Sequence, residues 1–132
     1  MVLKRIEQKL EKLVEGTFTR AFPSSVKPIE LGKRIRRVLE DKKTIGVQGQ
    51  IIIPNRYVIS LSPKDLENIE SIQESIQREI SSSIRDHAND ENYHFQGTLT
   101  VEIFSNSSLK TGSIEVDGLF AENKGGFPPG SL

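Results

Sequence analysis

Histidine, the side chain that most often moves protons or binds metals near neutral pH, occurs twice in this 132-residue chain, at His87 and His94. Asp90 and Glu91 lie between them, so this short segment contains four possible metal ligands. Their spacing matches no recognised metal-binding pattern. We therefore expect no metal site, and we interpret the segment as a polar, exposed corner between a helix and a strand.

The other reactive side chains form no catalytic pattern either. A nucleophile needs a tuned base beside it, and the chain offers neither cysteine nor a further histidine for that pairing. Carboxylate pairs such as Asp65 with Glu67 are typical of helix ends, and nothing predicts an apolar cleft that would raise a carboxyl pKa. The chain also lacks a Walker sequence and a GxGxxG sequence. We expect a protein that is not an enzyme and has no cofactor.

Two features leave nucleic-acid binding open as an alternative. The residues Gly46-Val47-Gln48-Gly49 match the GXXG string of KH domains, although a KH loop joins two helices and this one is predicted to join a helix to a strand. The second feature is a predicted basic helix that carries Lys33, Arg34, Arg36 and Arg37. Phosphate groups bind such side chains, but the helix has no aromatic residue on which bases would stack.

The basic helix is our candidate partner-binding surface. Its four basic residues spread over a broad face opposite Leu31, Ile35 and Val38, which form the apolar face. A protein partner, anionic lipid or nucleic acid would each be attracted to this charge, and a plain solvated face is the alternative interpretation.

The elements that must position these residues follow from hydrophobic periodicity. Apolar residues predict an amphipathic helix over residues 3–22, which Pro23 ends, and Pro28 suits the first turn of the basic helix. Residues 51–53 and 57–61 are predicted to form a hairpin, with a turn at Pro54-Asn55. Ser62-Pro63-Lys64-Asp65 then starts a third helix, in which a break near residue 70 is expected.

Residues 93–104 and 114–117 are predicted to be the last two strands. The order α-α-β-β-α-β-β predicts a single α+β domain with its helices packed on one face of a four-stranded sheet. We assign the domain to residues 1–120 and interpret residues 121–132, which are rich in glycine and proline, as a flexible linker.

Charge is distributed unevenly along the chain. Residues 1–43 contain 12 Lys/Arg and 6 Asp/Glu, a net charge of +6, whereas the remainder contains 6 and 12, a net charge of −6. Such polarity orients partners, or it reflects two differently charged solvated faces. The charged N-terminus has no apolar region like that of a signal peptide, and no apolar run is long enough to span a membrane. We expect a cytoplasmic protein, recruited to the membrane or division site through partners.

Four stretches resemble the N-terminal domain of FhaA-type bacterial proteins, over residues 3–117 in total. They are residues 7–22 with Leu13-Val14-Glu15-Gly16-Thr17-Phe18, Val26-Lys27-Pro28-Ile29-Glu30-Leu31, Ile53-Pro54-Asn55-Arg56-Tyr57 with Leu61-Ser62-Pro63-Lys64-Asp65, and Arg85-Asp86-His87-Ala88 with Leu109-Lys110-Thr111-Gly112. The resemblance implies a scaffold or docking domain of an adaptor in Ser/Thr-kinase signalling, connected to cell-envelope growth or division. Its partners would be proteins of the kinase pathway or the envelope machinery.

The resemblance also implies that the domain is a kinase substrate. Thr111, between Lys110 and Gly112 in a predicted turn, is our candidate phosphoacceptor, and a structural role in the turn is the alternative. Two departures limit the resemblance. The phosphothreonine-binding Gly-Arg…Ser-x-x-His pattern of an FHA domain does not occur, and the loop at residues 46–50 differs from the Ser/Arg-containing loops of many relatives.

Overall fold

The computed structural model describes residues 26–122, and its secondary structure confirms the α+β class. The helices are α1 (Pro28–Lys42), α2 (Pro63–Ile69) and α3 (Gln73–Glu91), and a 3-10 turn (Glu70–Ile72) lies between α2 and α3. The strands are β1 (Thr44–Ile45), β2 (Ile51–Ile52), β3 (Arg56–Leu61), β4 (Tyr93–His94), β5 (Thr100–Ser105) and β6 (Ile114–Leu119). The amphipathic helix predicted over residues 3–22 lies outside the described residues, as does most of the predicted linker.

The strands form two sheets of three strands each, whereas the sequence predicted one sheet of four. In the smaller sheet, β2 pairs with β1 in antiparallel orientation and with β4 in parallel orientation. In the larger sheet, β3 is the central strand, parallel to β5 and antiparallel to β6.

The predicted hairpin of residues 51–53 with residues 57–61 is wrong. The hairpin in this region instead joins β1 to β2, because Gly49 takes the positive φ of 83° that its tight turn requires. Residues 93–104 do not form one strand either. They divide into β4, which belongs to the smaller sheet, and β5, which belongs to the larger one.

The chain crosses from one sheet to the other at Pro54 and Asn55, two buried residues. Pro54 has no N–H to donate to a strand neighbour, so the ladder that includes β2 ends there. The Asn55 side chain donates to the carbonyls of Thr98 (3.1 Å) and Ala121 (2.8 Å), and it accepts from the Ala121 N–H (2.8 Å). This one amide therefore joins the corner to the segment before β5 and to the segment after β6.

The two signals for the central helical region are confirmed. The Ser62 hydroxyl accepts the Asp65 N–H (3.1 Å) as an N-cap, and Pro63 occupies the first turn of α2. The expected break near residue 70 is the 3-10 turn, with Ile69 and Ile72 outside helical geometry at its two ends. This break lets α3 take its own direction along the larger sheet.

The core lies between the helices and one face of the larger sheet. Alternate residues of β3, namely Tyr57, Ile59 and Leu61, are buried on that face, and Ile76, Ile80 and Ile84 of α3 are fully buried as well. The helix α1 packs against β6, where Gly118 lies so close to Val38 that a Cβ atom would come within 2.7 Å of a methyl group. No helix within residues 26–122 is long and apolar enough to cross a membrane.

Candidate interaction surfaces

The predicted basic face lies on α1, and the structure divides its four residues into two classes. Leu31, Ile35 and Leu39 are buried and fix the orientation of the helix. At 100° per residue, Lys33 and Arg37 lie on the side away from this buried stripe, and Arg34 and Arg36 lie along its two borders. Only Arg37 is exposed, and the other three are half-buried.

The two border residues are engaged with neighbouring groups. The Arg34 Nε atom lies 3.4 Å from the Glu30 carboxylate, one helical turn away. Arg34 also lines a groove of about 620 Å³ with Val58, Ser60 and Leu119 on the outer face of the larger sheet. Arg36 likewise makes a polar or electrostatic contact. Within residues 26–122, by contrast, no carboxylate pairs with Lys33 or Arg37, so these two carry the accessible charge.

The GXXG string is located in the hairpin between β1 and β2. The Gly46 N–H donates to the Gln50 carbonyl (2.7 Å), and the Gly49 N–H donates to the Gly46 carbonyl (3.0 Å). The loop therefore joins two strands, not the helix and strand that the sequence predicted, and a KH loop joins two helices. Val47 at its tip is fully exposed, and residues 44–53 carry no charge. The tip therefore offers no charged side chain to a phosphate group.

Thr111 is exposed in the loop that joins β5 to β6, and the predicted turn is present. The Ser113 N–H donates to the Lys110 carbonyl (2.9 Å), which makes Thr111 and Gly112 the two central residues of a β-turn. Gly112 has a φ of 92°, which residues with a side chain rarely adopt. The hydroxyl of Thr111 is thus presented on a turn of defined shape.

A buried carboxylate holds this turn from below. Asp65 is fully buried at the start of α2, and its Oδ2 atom accepts the Gly112 N–H at 2.7 Å. The contact joins two stretches on which the family resemblance rests, the helix start at Ser62 and the turn at Thr111. Sequence reasoning placed Asp65 at a helix start and could not predict this contact, because the partner lies 47 positions away.

His87 is buried, which corrects the expectation of an exposed corner at this position. Its side chain is only 4% exposed, and its Nε2 atom lies 3.4 Å from Oε2 of Glu40 on α1. Since a carboxylate only accepts, a hydrogen bond here requires the proton of the His87 ring to be on Nε2. Tyr93 donates to the same carboxylate (2.9 Å), and its ring meets the His87 ring edge-to-face at 6.0 Å. These contacts tie α1, α3 and β4 together.

Lys43 completes this polar cluster, with its Nζ atom 3.0 Å from Glu40. Burial alone would raise the pKa of Glu40, but hydrogen bonds from Lys43, Tyr93 and His87 hold that pKa below its usual value. Burial and the Glu40 carboxylate raise the pKa of the Tyr93 hydroxyl. Glu40 is therefore an ionised, hydrogen-bonded group that joins elements of the fold.

The structure does not bring the four possible metal ligands into one site. The side chain of His87 is buried, whereas His94, Asp90 and Glu91 are exposed. Within residues 26–122, no group of three or more His, Asp or Glu side chains is arranged to hold a metal ion.

The fold and its surfaces define a small α+β domain with two three-stranded sheets and a helical layer. The family model described as "FhaA, N-terminal domain" matches residues 3–117, and the chain belongs to this family.

One relative is the FHA domain-containing protein FhaA of Mycobacterium tuberculosis (strain ATCC 25618 / H37Rv). It is 26% identical to this chain over 132 residues, a match that covers 97% of this chain and 24% of that protein. The chain therefore spans about a quarter of the length of that relative. A solved structure titled "Rv0020c_Nter structure" has a TM-score of 0.70 and 25% sequence identity, and the match covers 92% of this chain and 95% of that one.

Proposed function

We propose that this domain is a non-catalytic interaction and scaffold module of a Ser/Thr-kinase-linked bacterial adaptor, connected to cell-envelope growth or division. Membership of the FhaA N-terminal domain family carries the proposal, because a relative of this family is an FHA domain-containing protein. FHA domains recognise phosphothreonine, so a protein that contains one binds targets that Ser/Thr kinases have phosphorylated. We also propose a cytoplasmic location, with recruitment to the membrane or division site through partners.

We propose Lys33 and Arg37 as the centre of the partner-binding surface. Both point away from the buried stripe of α1, and neither is neutralised by a carboxylate within the described residues. Arg34 and Arg36 border the same surface and add positive charge at its edges. Acidic side chains of a protein partner would pair with Lys33 and Arg37, since rim charges of this kind steer association and fix register.

The double variant Lys33→Glu/Arg37→Glu is expected to lose the partner. Reversing two charges on the side of α1 away from the core replaces attraction by repulsion without disturbing the core, so recovery of kinase-pathway or septal proteins in a pull-down should fall by about tenfold. The control variant Lys64→Glu/Ser71→Glu/Asn89→Asp changes the net charge equally at exposed positions away from both proposed surfaces and should retain the partner. Equal recovery with the α1 variant and the control variant would exclude the α1 face as the partner-binding surface.

The nucleic-acid alternative has a separate test. Binding of single-stranded RNA or DNA at low salt that the α1 variant abolishes would favour this alternative.

We propose Thr111 as an acceptor of phosphate within this module. Its exposure and its place on a fixed turn beside Lys110 support the proposal. A phosphate adds about −1.5 to −2 charges, which would lie on the same short turn as the Gly112 N–H that binds the Asp65 carboxylate. The added charge would therefore change how the turn is presented to a partner.

Incubation with a Ser/Thr kinase from the same bacterium is expected to add a phosphate that mass spectrometry locates at Thr111. The variant Thr111→Ala should abolish this modification, and Ser113→Ala, which removes the other exposed hydroxyl of the turn, should leave it intact. A phosphosite map that repeatedly omits Thr111 while other sites are modified would contradict the proposal.

A further inference from the structure

Two glutamine side chains of α3 bind the backbone carbonyls at the free edge of β5, where a further strand would otherwise pair. The Gln73 amide donates to the Ile103 carbonyl (3.2 Å), and the Gln77 amide donates to the Val101 carbonyl (2.9 Å). Four helical residues advance about 6 Å, close to the advance of two strand residues, so glutamines one turn apart meet alternate carbonyls of the strand. The helix and the strand edge therefore lie side by side in register.

This register ends at Ser81, the next residue of the series. A serine is too short to reach the strand as the glutamines do, and the space that it leaves is a groove of about 570 Å³. Leu99, Thr100 and Val101 line the groove on the strand side. The floor is thus partly apolar, and the Ser81 and Thr100 side chains add hydroxyl groups.

The helix side of the groove carries two arginines. Arg78 and Arg85 flank Ser81 at spacings of three and four residues, which places all three on one stripe of the helix. Both guanidinium groups are exposed, and within residues 26–122 neither forms an ion pair with a carboxylate. The one hydrogen bond of Arg78 within those residues goes to the hydroxyl of Ser75 (3.2 Å). Two cations thus face one groove that contains a single carboxylate, Glu74.

The charge of the side chains changes from one end of the groove to the other. Glu74 lies on the same stripe as the arginines but at the other end, so charge along the groove changes from negative to positive over about 16 Å of helix. An extended peptide covers that length with about five residues. None of the residues that line the groove is aromatic, so bases would find nothing on which to stack.

We propose that the groove between α3 and β5 binds an extended acidic segment of a protein partner. Arg78 and Arg85 stand about 10 Å apart along the helix, so carboxylates two or three positions apart in an extended chain would reach both. An apolar side chain of the segment packs on Leu99, which is only partly buried. This site lies on a different helix from Lys33 and Arg37, and it does not depend on the function proposed for that face.

Fluorescence anisotropy at low salt tests the proposal with fluorescein-labelled nonapeptides. One peptide carries two glutamates separated by a single leucine, and a second carries glutamines in their place. The whole chain is expected to bind the glutamate peptide saturably and the glutamine peptide at least about tenfold more weakly, because charge-assisted hydrogen bonds are lost. The variant Arg78→Gln/Arg85→Gln should lose the same preference, whereas Lys33→Glu/Arg37→Glu should keep it.

Amide shifts in an NMR titration of the unaltered chain provide a second measurement that needs no variant. Perturbations that cluster at residues 74–85 and 99–101 support the site. Absence of saturable binding, equal binding of the two peptides, or shifts confined to other surfaces would overturn it. So would a single-stranded RNA oligonucleotide that binds through Arg78 and Arg85 more tightly than the glutamate peptide does, since the groove would then be a nucleic-acid site.

Discussion

Replacing Asn55 by alanine is expected to lower the free energy of unfolding by about 3 kcal/mol, and the melting temperature by roughly 10 °C. The residue is 1% exposed, and its side chain makes three hydrogen bonds to backbone groups of Thr98 and Ala121. Alanine would leave two carbonyls and one N–H without those partners at a buried corner. Urea unfolding followed by circular dichroism measures the change.

Asn106→Ala is the matched control for this substitution. The Asn106 side chain also accepts hydrogen bonds, from the N–H and hydroxyl of Ser108, but these contacts are local and exposed. Its loss should cost less than about 1 kcal/mol, because water replaces exposed hydrogen bonds. Equal effects of the two substitutions would show that the three long-range contacts of Asn55 do not stabilise the corner.

The signals that predicted the fold correctly are local ones. Pro28 marked the start of α1, and Ser62 with Pro63 marked the start of α2, because capping involves groups only three residues apart. The break near residue 70 also followed from local composition. Each of these features depends on residues that are close together in the sequence, so the sequence alone predicts it.

The division into two sheets could not be predicted in the same way. Both halves of the predicted hairpin are apolar and adjacent, so pairing them was the simplest interpretation. What decides the pairing is contact with distant residues: Ile51 with Tyr93, and Arg56 with Thr100. Asn55 illustrates the limit, because its type indicated a turn, whereas its partners lie 43 and 66 positions away.

The candidate surfaces differ in the same way: one depends on spacing within a helix, and the other depends on contacts between elements that are distant in the sequence. Helical spacing predicted a basic face on α1, and the solvent-directed pair Lys33 and Arg37 agrees with that spacing. Sequence reasoning missed the groove beside β5, because Gln73 and Gln77 show their role only once the strand edge is placed next to them. A series of Gln, Gln and Ser at steps of four residues is the signal that, with hindsight, marks it.

The second large effect is expected at Asp65, where alanine should lower the free energy of unfolding by about 2–3 kcal/mol. The carboxylate is fully buried and accepts the Gly112 N–H at 2.7 Å, so its removal leaves a part-buried donor without this partner. It also removes a negative charge near the N-terminus of α2, where the helix dipole favours one. Urea unfolding measures the total cost.

Two further variants separate these contributions. Asp65→Asn keeps an oxygen that accepts the Gly112 N–H but removes the charge, so it should recover about half of the loss. Ser62→Ala removes only the N-cap and should cost about 1 kcal/mol without affecting the turn. Hydrogen exchange at the Gly112 amide distinguishes them, because it should accelerate at least about tenfold in Asp65→Ala and stay slow in Ser62→Ala. If Gly112 exchanges at the same rate in all variants, the carboxylate does not hold the Thr111 turn, and a phosphate there would act without involving Asp65.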